Sequence, residues 1–196
     1  MIIKLNFSIT IPDRLIGPFV ALVLFYRRIC YGYPFRRIPL TRGQYAIVDP
    51  NDYGRLSAHK WHAFKSKHTF YAVRAIRVKG RQVIIRMHRE ILKVPDGMLV
   101  DHINHNGLDN RKANLRPATG AENNRNRRKS IKRKCHSRFK GVNWNKDQKK
   151  WSARICFNSK TKFIGYFDDE IEAAKAYDRA AKKYHKEFAV LNFDSG

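Results

Sequence analysis

Cysteine is scarce: three occur in 196 residues, at Cys30, Cys135 and Cys156. No two form a Cys-x-x-Cys pair, which speaks against a structural zinc knuckle. An odd, widely spaced set offers no disulfide framework either, so all three are expected as unpaired thiols in a reducing cytoplasm. Acidic residues are also few, sixteen Asp and Glu against forty-one Lys and Arg, for a formal net charge of +25. An excess of that size repels itself in a compact fold unless a polyanion is near. Nucleic acid is the first partner this implies, and an anionic membrane surface would also satisfy the charge. Phosphate binding would weaken steeply with salt, because each neutralised phosphate releases condensed counterions.

Long apolar runs are missing too. The candidate, Leu15 to Tyr26 (LIGPFVALVLFY), has twelve residues, carries Gly17 and Pro18, and is closed by Arg27 and Arg28. A membrane span needs roughly twenty residues. The run has signal-peptide length, but Arg-Arg-Ile-Cys-Tyr follows it instead of a small-x-small cleavage site. No stable membrane association is expected. Residues 1–34 read as a hydrophobic appendage, either a short helix covering the next domain or a segment outside the fold. No internal repeat is visible.

From about Phe35 the texture becomes strand-like, with runs at Tyr45–Val48, Phe70–Val73 and Val83–Arg86 rich in β-branched and aromatic residues. Asn51-Asp52 can cap a short helix through Lys60. A second change follows Asn123: nine of the seventeen residues from Asn124 to Lys140 are Lys or Arg, with no acid among them. This reads as a linker, residues 127–136, lying along a phosphate backbone. Beyond it, Trp151, Ala153, Ile155 and Phe157 alternate with Ser152, Arg154 and Cys156, the period of a half-buried strand. Asn158-Ser159 predicts a turn into a strand over Thr161–Phe167, and Lys140–Asn145 supplies a first strand. Asp169-x-x-Glu172 has capping-box spacing, and Ala173, Tyr177, Ala180, Ala181 and Tyr184 form one apolar helix face. The result is α+β: an N-terminal domain over 35–126, then three antiparallel strands packed on one helix over 137–196.

The chemistry concentrates in Val100–Asn123. A strand over Met98–Val100 delivers Asp101 and His102 at its end. A polar loop follows, then a short strand at Leu115-Arg116 and a helix from near Gly120. Hydrolysis of a phosphodiester needs a base for water, a divalent cation against developing charge, and a group that aims the base. Asp-His adjacency offers a hard oxygen ligand and an imidazole at one place. An Asn in the loop can fix the ring, and an Asn oxygen on the helix can complete a metal shell.

An isolated Asp-His pair carries little information; the full spacing carries much more. Asn114 lies twelve residues after His102, and Asn123 nine after that. Together with Met87-His-Arg-Glu90, Leu99-Val-Asp-His-Ile103, Asn114-Leu-Arg116 and Glu122-Asn-Asn124, this resembles the HNH nucleases of the phage and intron homing type, over roughly Ile38 to Asn126. The resemblance implies a β-β-α metal fold with His102 as general base and Asn114 orienting it. Asp101 and Asn123 would hold one ion, Mg²⁺ foremost and Mn²⁺ as the alternative. Asn in place of the His many members carry at position 123 favours a hard, oxygen-liganded ion. His88 belongs to the family's upstream His-Arg pair, and a buried hydrogen-bonded histidine is as good a reading of it as a phosphate contact. His105 reads as a loop residue.

Phe139-Lys-Gly-Val142, Trp151-x-Ala153, Ile164-Gly-Tyr-Phe167, Glu172-Ala-Ala174, Ala176-Tyr-Asp178 and Ala189–Phe193 resemble the APETALA / ethylene-response-factor domain over Ser137–Phe193. That family lays its sheet in the DNA major groove, which implies contacts from Lys140, Asn143, Asn145, Arg154, Thr161 and Phe163. Plant members carry several Arg at such positions; here most are replaced, so their target sequence does not transfer. Trp144 is a candidate for stacking, and Trp151 belongs to the core. Arg116 beside the site, and Arg125, Arg127 and Arg128 in the basic block, are candidate backbone contacts.

The leading expectation is a metal-dependent endonuclease acting on double-stranded DNA, nicking one strand, encoded by a phage or mobile element. It would work in the cytoplasm of a bacterial or phage-infected cell as a monomer or weak dimer. A DNA-binding regulator with an inactive nuclease fold is the alternative. A structured-RNA nuclease fits the charge but not the major-groove domain.

Overall fold

The structure, a computed structural model, describes residues 13–129 and 136–193; Cys135 and most of the expected linker lie outside them. Helices mix with four small antiparallel sheets among the described residues. The chain divides into two compact units. One is the described chain up to Met87 together with Leu108–Lys112; the other is His88–Gly107 together with the described chain from Ala113 onward.

The first unit opens with helix α1 (Asp13–Tyr31). Several of its apolar side chains are open to solvent, among them Leu22 at 64% and Ile29 at 68% exposed, while Val20, Val23 and Leu24 are half-buried. No helix among the described residues is long and apolar enough to cross a membrane. Strands β1 (Arg36–Pro39) and β2 (Tyr45–Val48) pair antiparallel. The Leu108–Asn110 segment runs along β2, with Ile47 N donating to Leu108 O at 2.8 Å and Asn110 N to Ile47 O at 2.7 Å.

Helix α2 spans Pro50–Ser57, shorter and earlier than the Asn51-Asp52 capping expectation. Proline lacks the N–H that a helix start leaves orphaned, so Pro50 takes the first turn and Asp49 becomes the N-cap residue. The Asp49 carboxylate makes no cap bond and instead accepts Lys112 N at 2.8 Å. Three further strands, β3 (His62–Lys65), β4 (Phe70–Val78) and β5 (Arg81–Arg86), form one sheet in that order. Leu56, Trp61, Ala63 and Ala72 are buried, and Trp61 Nε1 donates to Leu56 O at 2.8 Å.

Helix α3 (Met87–Leu92) leads into the second unit. Strands β6 (Leu99–His102) and β7 (Leu115–Ala118) pair antiparallel, and α4 (Gly120–Arg125) follows. Thr119 and Glu122 close a full capping box at the start of α4, which holds the Glu122 carboxyl below the usual carboxylate range.

Strands β8 (Val142–Asn145), β9 (Lys150–Phe157) and β10 (Lys160–Phe167) form a sheet with β9 central. Helix α5 (Glu170–His185) shares a core with it: Phe139, Val142, Ala153, Ala173 and Ala174 are buried together. The alternation read along β9 departs at one place. Ser152, on the outward face, is buried because its hydroxyl donates to Asn143 O at 3.0 Å.

Only half of the expected box caps α5. Asp169 Oδ1 accepts Glu172 N at 2.9 Å, while the Glu172 carboxylate accepts from Lys175 Nζ at 2.8 Å. Asp169→Ala is expected to cost about 1 kcal/mol. The measurement is a lower urea midpoint with an unchanged denaturant slope.

Candidate active site

β6 presents Asp101 and His102 side by side, 5% and 6% exposed. Both sit at the C-terminal end of the strand, where Asp101 meets Arg116 and Asn126 and His102 meets the His88 ring. Opposite Asp101 in the β6–β7 register stands Arg116. Arg116 donates to Asp101 Oδ2 from Nε at 2.9 Å and from Nη2 at 2.8 Å, a charge-assisted pair of bonds. Asn126, the C-cap residue of α4, donates from Nδ2 to both Asp101 oxygens at 2.9 Å and to His102 O at 3.1 Å. The His88 ring stands edge-on to His102, with centroids 5.1 Å apart.

Asn114 ends the short 3₁₀ turn Lys112–Asn114 that precedes β7. Its Oδ1 accepts Asn104 N at 3.0 Å and its carbonyl accepts Ile103 N at 2.9 Å, so it fixes the two residues that follow His102. Asn123 is half-buried on α4, three residues before Asn126 and hence on the same helix face. His105 lies in the loop after β6 at φ 64°, and burial with the nearby Arg128 charge lowers its pKa.

The donors suit a hard cation. A carboxylate has about four lone-pair sites, and Asp101 Oδ1 accepts only from Asn126. Asp101 on β6 and Asn123 on α4 are the oxygen-bearing side chains that could hold a divalent cation here. Among the described residues no group of three or more His, Cys, Asp or Glu is assembled that could hold a metal ion.

Other candidate residues separate into two groups. Arg154, Thr161 and Phe163 lie on the exposed face of the β8–β10 sheet and line one shallow concavity with Tyr166, whose ring is 4.8 Å from that of Phe163. Sequence reasoning missed Tyr166, although the bulge between Phe163 and Gly165 is what turns it onto this face. Asn143 is exposed on β8. Asn145 is tied to Tyr166 Oη at 3.2 Å, and Trp144 stands edge-on to Trp151 at 5.1 Å.

Lys140 and Arg116 serve the protein itself. Lys140 Nζ donates to Arg125 O at 2.6 Å and Arg127 O at 2.7 Å, satisfying carbonyls left open at the end of α4. Burial pushes its pKa down to about 8. Arg116 also donates from Nη1 to Glu187 O, and its guanidinium lies 3.8 Å over the Phe188 ring. Arg125 lies over Phe157 at 5.3 Å, while Arg127 and Arg128 are exposed. Asn126 and the Asp101–Arg116 pair were not anticipated as site features. The cross-strand register was the one signal that would have revealed the pair.

Residues 93–125 match the family model for HNH endonucleases. An uncharacterized HNH endonuclease of Acanthamoeba polyphaga mimivirus is 31% identical over 157 residues, covering 77% of this chain and 76% of that protein. The APETALA2-like protein 2 of Oryza sativa subsp. indica is 43% identical over 60 residues, 30% of this chain but only 14% of the relative. An ethylene-responsive transcription factor of Arabidopsis thaliana is 40% identical over 60 residues, with the same coverage.

Proposed function

Because the chain belongs to the HNH endonuclease family, we propose that β6, β7 and α4 form a β-β-α metal-nuclease motif that hydrolyses phosphodiester bonds of double-stranded DNA with one divalent cation. The observation that carries this reading is the buried Asp101-His102 pair at the end of β6, tied to α4 through Asn126, with Asn123 half-buried on the same helix. His102 takes the proton from the attacking water as its oxygen bonds to phosphorus and the bridging P–O bond breaks. Asn114 steadies the loop behind His102 and orients its ring. Asp101 and Asn123 would hold the ion, Mg²⁺ foremost, which would supply positive charge against the developing negative charge of the reaction.

Residues 137–196 act as a DNA-binding domain behind a nuclease domain over 35–126. Asn143, Arg154, Thr161 and Phe163 meet the bases or backbone, and Arg127 and Arg128 of the 127–136 linker meet phosphates. One site per chain nicks one strand most simply, as a homing-type enzyme of a phage or mobile element would. The similarity to plant transcription factors favours a second reading, a DNA-binding regulator without cleavage.

Plasmid relaxation separates the two. The wild-type chain is expected to nick supercoiled DNA with Mg²⁺ and to stop with EDTA. His102→Ala should slow cleavage by roughly 100- to 10,000-fold, with gel-shift affinity retained. Plasmid that stays supercoiled across metals and salts, while still bound by the wild-type chain, would select the regulator.

A further inference from the structure

The β4–β5 hairpin has no part in the chemistry above, yet its composition is unusual. From Phe70 to Arg86 it carries Arg74, Arg77, Lys79, Arg81 and Arg86 and no acid. β3 pairs only with Phe70–Val73, so beyond that point Arg74–Val78 and Arg81–Ile85 pair only with each other within this sheet. A two-residue turn joins them, with Lys79 at φ 50° and Gly80 at φ 76°, the hairpin geometry that matches natural strand twist. The result is a two-stranded basic ribbon.

Its two faces differ. Arg74, Ile76 and Ile85 share one face and are half-buried, with Arg74 5.5 Å over the Trp61 ring, while Val78, Arg81 and Val83 on that face, toward the turn, are exposed. On the other face Ala75, Arg77, Gln82, Ile84 and Arg86 are exposed, and Val73, at the β3 end, is half-buried. Arg77 and Gln82 stand directly opposite each other in the register, as do Ala75 and Ile84. Arginine pairs bidentately with guanine and glutamine with adenine, while apolar side chains meet the thymine methyl. The open face thus carries side-chain types suited to reading base edges.

We infer that the exposed face of the β4–β5 ribbon enters the major groove of duplex DNA, with Arg77 and Gln82 reading bases and with Arg86 on that face and Arg81 at the turn end of the opposite face meeting phosphates. Size and charge agree with that occupant. Paired strands lie about 4.8 Å apart, and a B-form major groove about 12 Å wide admits a two-stranded ribbon. The narrow major groove of duplex RNA does not. A protein partner would need acids to complement the ribbon. The inference rests on DNA being the substrate.

The test uses the full chain, with Arg77→Ala/Gln82→Ala and Arg81→Ala/Arg86→Ala compared with wild type. Binding is measured on duplex DNA across salt concentrations, and cut sites are mapped on random-sequence duplexes. The phosphate pair should weaken binding about tenfold or more and flatten the salt dependence by roughly 0.9 per lost contact. The base-reading pair should instead relax preference at one or two positions of the cut site. Melting temperatures should hold in both, since all four side chains are exposed. Unchanged affinity and cut-site preference in folded variants would overturn the ribbon's role while cleavage itself persisted. Losses confined to duplex RNA would overturn it as well. Loss of cleavage preference or DNA affinity in the variants supports it, and a wild-type chain that binds but never cleaves bears on the nuclease reading alone.

Discussion

Arg116→Ala is expected to lose about 3 kcal/mol of unfolding free energy, because removing one partner of a buried ion pair strands the other. The stranded group is Asp101, with its side chain 6% exposed, against 14% for Arg116. Asn126 remains as a donor, which keeps the expected cost at the lower end of the range for a broken buried pair. The loss exceeds what an exposed pair gives, since surface ion pairs contribute about 1 kcal/mol or less. Arg116→Lys should fall between, keeping the charge but not the paired geometry. The decisive measurement is a double-mutant cycle by urea unfolding. Asp101→Asn combined with Arg116→Ala should cost clearly less than the sum of the two single changes. Additive losses would show that Arg116 acts through Phe188 and Glu187, which it also touches, and not through the carboxylate.

Gly141→Ala should be more severe, at least about 4 kcal/mol, and is expected to unfold the sheet and helix of residues 137–193. Gly141 sits at φ +77°, and a Cβ there would lie 2.0 Å from Tyr177 Cδ2 and 2.7 Å from the Arg154 carbonyl oxygen. Neither can yield easily. The Tyr177 ring is buried between α5 and the sheet, where burial raises its phenol pKa, and Arg154 N is bonded to Gly141 O at 2.9 Å. Gly80→Ala makes the control. Its φ is +76°, but a Cβ there meets nothing within 4 Å. Only the backbone strain remains, roughly 1–2 kcal/mol. A similar drop in melting temperature for both variants would show that strain, and not the ring contact, sets the requirement at Gly141.

What could be read in advance depended on how local the signal was. β9 and α5 follow from period-two and helical patterns in their own residues, and the α5 N-cap from Asp169. The β6–β7–α4 order follows from a motif whose spacing places each residue on its element. The pairing of β4 with β5 was harder, because a Lys-Gly turn lacks the Asn or Asp that usually marks a tight hairpin. Asn126 was not legible because its role depends on where the end of α4 meets β6, a tertiary fact that no neighbouring residue encodes. Lys140 failed in the opposite direction. A lysine in a basic run suggests a phosphate contact, but once buried its ammonium satisfies two helix-end carbonyls instead.

Lys140 therefore acts as a rivet between the end of α4 and the start of the C-terminal sheet. With Lys129 donating to Phe139 O at 2.6 Å and Val142 O at 3.1 Å, it anchors the start of the C-terminal sheet to the end of α4. A module on a slack tether would let the enzyme cut over a range of distances from the bound sequence. A riveted one works as a ruler. If the sheet meets bases as proposed, the cut should fall at one fixed offset from them, and adding residues between 130 and 135 should leave that offset unchanged.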